Sequence, residues 1–175
     1  MRDTTTGTVV TCRSSAANGT LRSGSGLPGY HAGSLSAVSF SSCSSPGAPR
    51  LARQPAGLPR RLVFTLQAGG LPWHVNFSSY NAAKGAARGR IGHLHLTFSG
   101  AGCTAVIDGT SATADDGQVA FRYTDSTSQL KVLTTFGNLH FCNVSAGCLG
   151  LINSGDTVTL TVICTVTPTQ VITSP

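Results

Sequence analysis

The 175 residues carry twelve Lys and Arg against six acidic residues, for a net charge of +6, yet only 10% of the chain is charged. No basic run interleaved with aromatics occurs, which argues against a dedicated nucleic-acid binder, and no stretch approaches the ~18 apolar residues of a membrane span. Glu is absent, Lys occurs only as Lys84 and Lys131, and 22 Thr and 20 Ser accompany 21 Gly and 8 Pro, so helix formers give way to residues that suit pleated strands and turns.

The length fits one domain over 1–175, long enough to bury roughly two thirds of its unfolded surface. Residues 1–7 are polar and read as a frayed N-terminus; Thr8–Cys12 reads as a first strand with a cysteine at its end, and 13–33 as Ser/Gly-rich loop. Ser34–Phe40 alternates small polar with apolar residues, the period-two pattern of a half-buried strand, and leads to Cys43. A Cys12–Cys43 bridge would tie these two segments and, by loop-closure entropy, contribute roughly 3 to 4 kcal/mol. Residues 44–61 hold Pro46, Pro49, Pro55 and Pro59 with Arg50, Arg53, Arg60 and Arg61 and have no periodicity, so they read as an exposed, solvated loop.

From Leu62 onward strand patterning is nearly continuous, through Leu62–Leu66, Pro72–Tyr80, Gly89–Ser99, Thr104–Gly109, Val119–Thr124, Leu130–Thr134, Leu139–Val144 and Thr157–Thr167. Gly69-Gly70, Asp108-Gly109, Asp116-Gly117, Gly137-Asn138 and Ser154-Gly155-Asp156 mark the turns. In the last run Ile163 breaks the alternation, which implies a bulge or a crossover between sheets. About ten short strands with no intervening helix predict an antiparallel β-sandwich.

The six cysteines, Cys12, Cys43, Cys103, Cys142, Cys148 and Cys164, show no CxxC pair and no zinc-finger spacing. Disulfides are the better reading, which places the protein in an oxidising compartment, extracellular or at the cell surface. Six cysteines allow fifteen connectivities. Met1-Arg2-Asp3-Thr4 leads into polar residues with no apolar segment, so the chain reads as a mature form or as one begun at a misplaced start codon that clips a signal peptide.

Leu71-Pro72-Trp73-His74-Val75-Asn76, Ser99–Ala105, Leu130–Leu133, Gly137-Asn138-Leu139-His140 through Cys148, Gly150–Asp156 and Gln170-Val171-Ile172-Thr173-Ser174-Pro175 resemble a family of small secreted actinobacterial proteins without a settled function. The likeness covers residues 71–175 well and 8–43 loosely. It implies four family cysteines at Cys12, Cys43, Cys103 and Cys148; the chain departs from the family at Cys142 and Cys164, where relatives carry aromatics nearby. The resulting expectation is Cys12–Cys43, Cys103–Cys148 and an added Cys142–Cys164 bridge, with Cys142–Cys148 as the rival.

Candidate chemistry is sparse. His93 and His95 are two apart on a strand and face one side, but two imidazoles do not make a metal site, and nothing in the spacing requires a third ligand from His31, His74, His140 or a distant Asp. The reading is therefore no metal and no cofactor. A Gly-x-Ser-x-Gly elbow is missing; Gly109-Thr110-Ser111-Ala112-Thr113 is the nearest approach and lacks the second glycine. A small secreted ester hydrolase with His140 or His74 as base stays as the alternative, with no nominated nucleophile. Trp73, the single tryptophan, suits a core anchor better than a sugar-stacking platform. The leading expectation is a secreted or envelope-associated binding or structural protein. Its proposed binding residues are Arg50, Arg53, Arg60, Arg61 and Trp73, and its partner is an anionic envelope polymer or another surface protein.

Overall fold

Thirteen strands occur among the described residues, 1–22, 24, 27–46 and 61–173 of the computed structural model. They are β1 (Arg2–Asp3), β2 (Ser14–Leu21), β3 (Gly33–Ser41), β4 (Cys43–Ser45), β5 (Leu62–Gly69), β6 (Trp73–Asn81), β7 (Ala86–Gly100), β8 (Cys103–Asp108), β9 (Gly117–Thr124), β10 (Gln129–Gly137), β11 (His140–Cys142), β12 (Val158–Thr159) and β13 (Ile163–Thr165). All pairings are antiparallel, and apart from the small β1–β12 pair every strand belongs to one sheet folded into a sandwich.

β7, at 15 residues the longest strand, organises the sheet. Its first half pairs with β6 on one edge and β9 on the other, and its second half with β5 and β8. β5 and β6 therefore lie end to end along one edge, interrupted by Gly70–Pro72, while β8 and β9 lie end to end along the opposite edge, interrupted by 109–116. The next track, β10 followed by β11, breaks at the same level, between Gly137 opposite Val119 and His140 opposite Asp108.

Within β7 the break is a bulge. Ala87, Gly89 and Ile91 are buried, then Leu94, Leu96 and Phe98; the period of two slips by one residue at Gly92–Leu94, where His93 takes a left-handed φ of 61°. An extra residue bends the strand and lets both halves present apolar side chains to one core. That core joins Phe64, Trp73, Val75, Leu96, Ile107, Phe121, Leu139 and Phe141 from both layers. Phe98, in the second half of β7, stacks on Phe64 of β5 and meets Phe141 of β11 edge-on.

The N-terminal expectations need correction. Residues 1–7 are anchored: β1 pairs with β12, and the Thr6 and Thr8 hydroxyls donate to Leu151 O at 2.8 and 2.6 Å. Thr8–Cys12 makes single bridges, Val9 to Arg2 and Thr11 to Ser44, in place of a strand. The 13–33 segment contains β2, hairpinned onto β3; its side chains are all exposed, so no burial pattern marked it in the sequence. Ser44 and Ser45 belong to the buried β4, which removes them from the proposed loop. The Thr157–Thr167 run divides into β12 and β13, which pair with β1 and β10, so the predicted crossover is present, just before Ile163.

The bridges are Cys12–Cys43 and Cys103–Cys148. Cys142 and Cys164 are unpaired because β11 lies beside β8, with Cys142 opposite Val106, whereas β13 lies beside β10, with Cys164 opposite Leu130. Burial pushes both thiols up, and at Cys142 the charges of Asp108 and Asp116 add to it. Peptide mapping without reductant should return the two bridges, and thiol titration of the unfolded chain two free thiols. A Cys142–Cys164 peptide would overturn the assignment.

Asp3 is almost wholly buried; its Oδ1 accepts the N–H groups of Thr5 and Thr6, and its Oδ2 has no donor. Burial raises the pKa of this carboxyl, the neighbouring Asp156 adds to the rise, and the two N–H bonds only partly offset it. The folded state thus binds the proton more tightly than the unfolded one. The associated stability is complete below the unfolded value of 3.8 and is lost as pH rises through the folded value. Asp3→Asn keeps the Oδ1 acceptor and places a donor at Oδ2, so it should stabilise the protein at about pH 7, with the gain shrinking toward about pH 3. Urea unfolding at the two pH values checks both.

Candidate functional site

The level at which the strand tracks break brings the five histidines together. His74 is the second residue of β6, His93 and His95 flank the β7 bulge, His140 begins β11, and His31 sits just before β3 with its backbone N–H donated to Asn76 Oδ1 at 2.6 Å. Contacts run without a gap: the Tyr30 ring stacks on His31, His31 lies 4.6 Å from His74 between ring centres, and His74 lies 4.5 Å from His93. His93 Nδ1 is 3.8 Å from Asp115 Oδ2, and His95 Nδ1 is 2.8 Å from Asp108 Oδ2. His140 Nδ1 closes the row at 3.3 Å from Gly109 O.

Asp108 is the hub of this belt. At 0% exposure, its Oδ1 accepts the N–H groups of Gly109, Asp116 and Gly117 at 2.7, 3.1 and 3.1 Å, and its Oδ2 accepts that of Asp115 at 3.2 Å. Burial raises its pKa, but bonds from His95, Gly109, Gly117 and Asp116 outweigh that and hold the carboxyl below its usual range. The 109–116 excursion is thereby wound around one carboxylate, and Asp116 fastens its start by accepting Thr110 N and Oγ1, both at 2.8 Å. Asp115 adopts φ 50°, which turns its side chain back toward the histidines.

Two glycines shape the opposite wall. A Cβ at Gly69 would stand 2.8 Å from His95 Cδ2, and one at Gly70 would collide with Asp115 Oδ1. The Gly69-Gly70 turn is thus a cradle for the imidazole and the carboxylate. His74, held by burial and by its neighbours His93 and His31, has its pKa lowered, with Asp115 opposing in part, so its imidazole favours the neutral form.

On the inner side of the sheet lies a cavity of about 720 Å³, between β6, β7, β9 and β10, the β2–β3 hairpin and the 160–172 segment. Trp73, Phe77, Ile91, Tyr123, Val132 and Val162 line it, and among the described residues no charged side chain does. Trp73 is 4% exposed and donates Nε1–H to Gly69 O at 2.9 Å, so it is both a core anchor and a cavity wall. The Tyr123 hydroxyl donates to Gln170 O at 2.8 Å and ties the covering segment down.

Arg50, Arg53 and Arg60 lie outside the described residues. Arg61 is exposed, and its Nε donates to Ser44 Oγ at 2.6 Å, away from the belt. Among the described residues no serine hydroxyl hydrogen-bonds a histidine: His140 meets a backbone carbonyl, and His74 meets other imidazoles. Sequence reasoning paired His93 with His95 but assigned Asp108-Gly109 and Asp116-Gly117 only to turns. Their one linear signal is that three of the chain's six acids fall within nine positions, 108–116.

Compared with protein-family models, with curated proteins and with solved structures, the chain matches none of them.

Asp108→Ala would leave four backbone N–H groups, two of them buried, and His95 without their acceptor, so it should cost about 3 to 5 kcal/mol in urea unfolding. Asp108→Asn, which keeps one acceptor oxygen, should cost less.

Proposed function

We propose that this is an extracytoplasmic, non-enzymatic binding protein that takes an uncharged, apolar small molecule into the inner cavity. The observation that carries the reading is the cavity itself. Protein interiors hold few voids larger than a water molecule, whereas ligand pockets span about 300–1,000 Å³ and are lined mainly by apolar and aromatic side chains. A volume of about 720 Å³ with Trp73, Phe77 and Tyr123 in its walls, and no charged group among the described lining residues, belongs to the second class. Burying a lipid-like chain there would contribute roughly 0.8 kcal/mol per methylene. The β2 residues in its lining are all exposed, so the cavity opens to solvent on that side and a ligand can enter there.

Placement outside the cytoplasm rests on the two disulfides, since cytosolic thiols are kept reduced, and on the resemblance of residues 71–175 to secreted proteins. No described helix is long and apolar enough to cross a membrane. An anionic partner for the arginine-rich stretch draws no support from Arg61, the one member of that set among the described residues.

The test is titration with a medium-chain fatty alcohol, followed by Trp73 fluorescence. Saturable binding at one site per chain is expected, and Val132→Trp, which fills the cavity from β10, should abolish it while near-ultraviolet circular dichroism still reports a packed fold. Binding unchanged in a folded Val132→Trp protein would remove the cavity reading. Stoichiometric labelling by a fluorophosphonate probe would favour the ester-hydrolase alternative.

A further inference from the structure

On the outer side of the sheet, separate from the cavity, we propose a binding site for one divalent transition-metal ion of the zinc class, built by His95, Asp108 and Asp115 with His93 at its rim. One ligand atom from each of the first three lies within 4.8 Å of the other two. In a tetrahedral site with bonds near 2.1 Å, ligand atoms stand roughly 3.4 Å apart, so small side-chain rotations close the set around an ion. His93 Nδ1 lies 3.8 Å from Asp115 Oδ2 but outside that mutual set, so the fourth position falls to water or to His93 after a larger rotation.

A second observation points the same way. Asp115 Oδ1 is buried against Gly70 and has no hydrogen-bond partner, and the same carboxylate group shares the cluster with that of Asp108. A buried carboxylate oxygen without a donor is costly, and a second carboxylate beside it raises the cost; a cation offsets both. The rest of the Asp115 side chain is 44% exposed and that of His93 49%, which leaves an approach from solvent.

The atoms divide their work in the manner of a metal centre. Asp108 Oδ1 is committed to three backbone N–H groups, which fixes the carboxylate, and Oδ2, which accepts only the Asp115 N–H at 3.2 Å besides its contact with His95, is the ligand atom. His95 would bind through Nδ1 as its Nε2–H tautomer, so its present bond to Asp108 Oδ2 gives way to the ion, and its ring plane is set by Gly69. Orientation of metal ligands by surrounding hydrogen bonds and packing is the rule in such sites. Two imidazoles and two carboxylates suit zinc and its first-row neighbours; calcium, which takes six to eight oxygens, is poorly matched.

The experiment uses the full chain, stripped with chelator and titrated with zinc alone by calorimetry, with elemental analysis of the protein after gel filtration. One zinc per chain is expected, with cobalt giving the visible spectrum of a tetrahedral site and calcium giving no heat. Asp115→Asn and His95→Gln should each weaken zinc binding by about 100-fold or more. Asp115→Asn is the decisive variant because it removes the charge while keeping the side chain's size, and circular dichroism checks that it folds. His31→Ala, at the far end of the belt, should bind as the parent does. No zinc on the parent protein, or undiminished zinc on a folded Asp115→Asn protein, overturns the site; so does binding that is lost in His31→Ala and kept in His95→Gln. Because the cavity is probed with an alcohol and this site with a metal, either reading can fail alone.

Discussion

The single extra residue in β7 is the constraint from which the architecture follows. Without the slip at Gly92–Leu94, a 15-residue strand would carry its neighbours straight on, and the apolar faces of its two halves could not meet. With it, three adjoining tracks must yield at one level, and each does so by its own means: the Gly70–Pro72 turn, the 109–116 excursion and the Gly137–His140 step. A bulge is local in sequence, yet its effect spreads because hydrogen-bonded neighbours cannot stay straight beside a bent strand.

A bend of this kind exposes backbone groups that a regular ladder would satisfy, and Asp108 answers that need. Four N–H groups of the excursion and the start of β9 converge on one buried carboxylate, whose pKa is held low because bonds from His95, Gly109, Gly117 and Asp116 outweigh its desolvation. The bend also sorts chemistry by side. Leu94 points into the core and lines the cavity, while its two neighbours, His93 and His95, lie on the opposite face among Asp108, Asp115 and His74. An apolar inner volume and a polar outer belt are therefore two consequences of the same alternation.

The disulfides secure what the sheet does not. Cys12–Cys43 joins the bridge-only segment Thr8–Cys12 to β4, and Cys103–Cys148 pins the turn after β11 to the start of β8. Closing loops of 31 and 45 residues, they contribute about 4 kcal/mol each through loop-closure entropy. Exposed strands such as β2, with no side chain in the core, need such staples nearby.

By itself the sequence determined the all-β class, the strands from Leu62 onward, the turn positions and the crossover near Ile163, because these depend on period-two alternation and on turn residues a few positions apart. It also placed His93 and His95 on one face. It was silent on β2, whose eight side chains are all exposed, and misleading at Cys142 and Cys164, whose strands pair elsewhere. Only the tertiary structure decided that Asp108 and Asp115 meet His95, that His31 and His74 join the same row, and that Trp73 walls a cavity. Those meetings rest on a bend shared by strands up to a hundred residues apart in the chain, and no local pattern records which tracks yield at the same level.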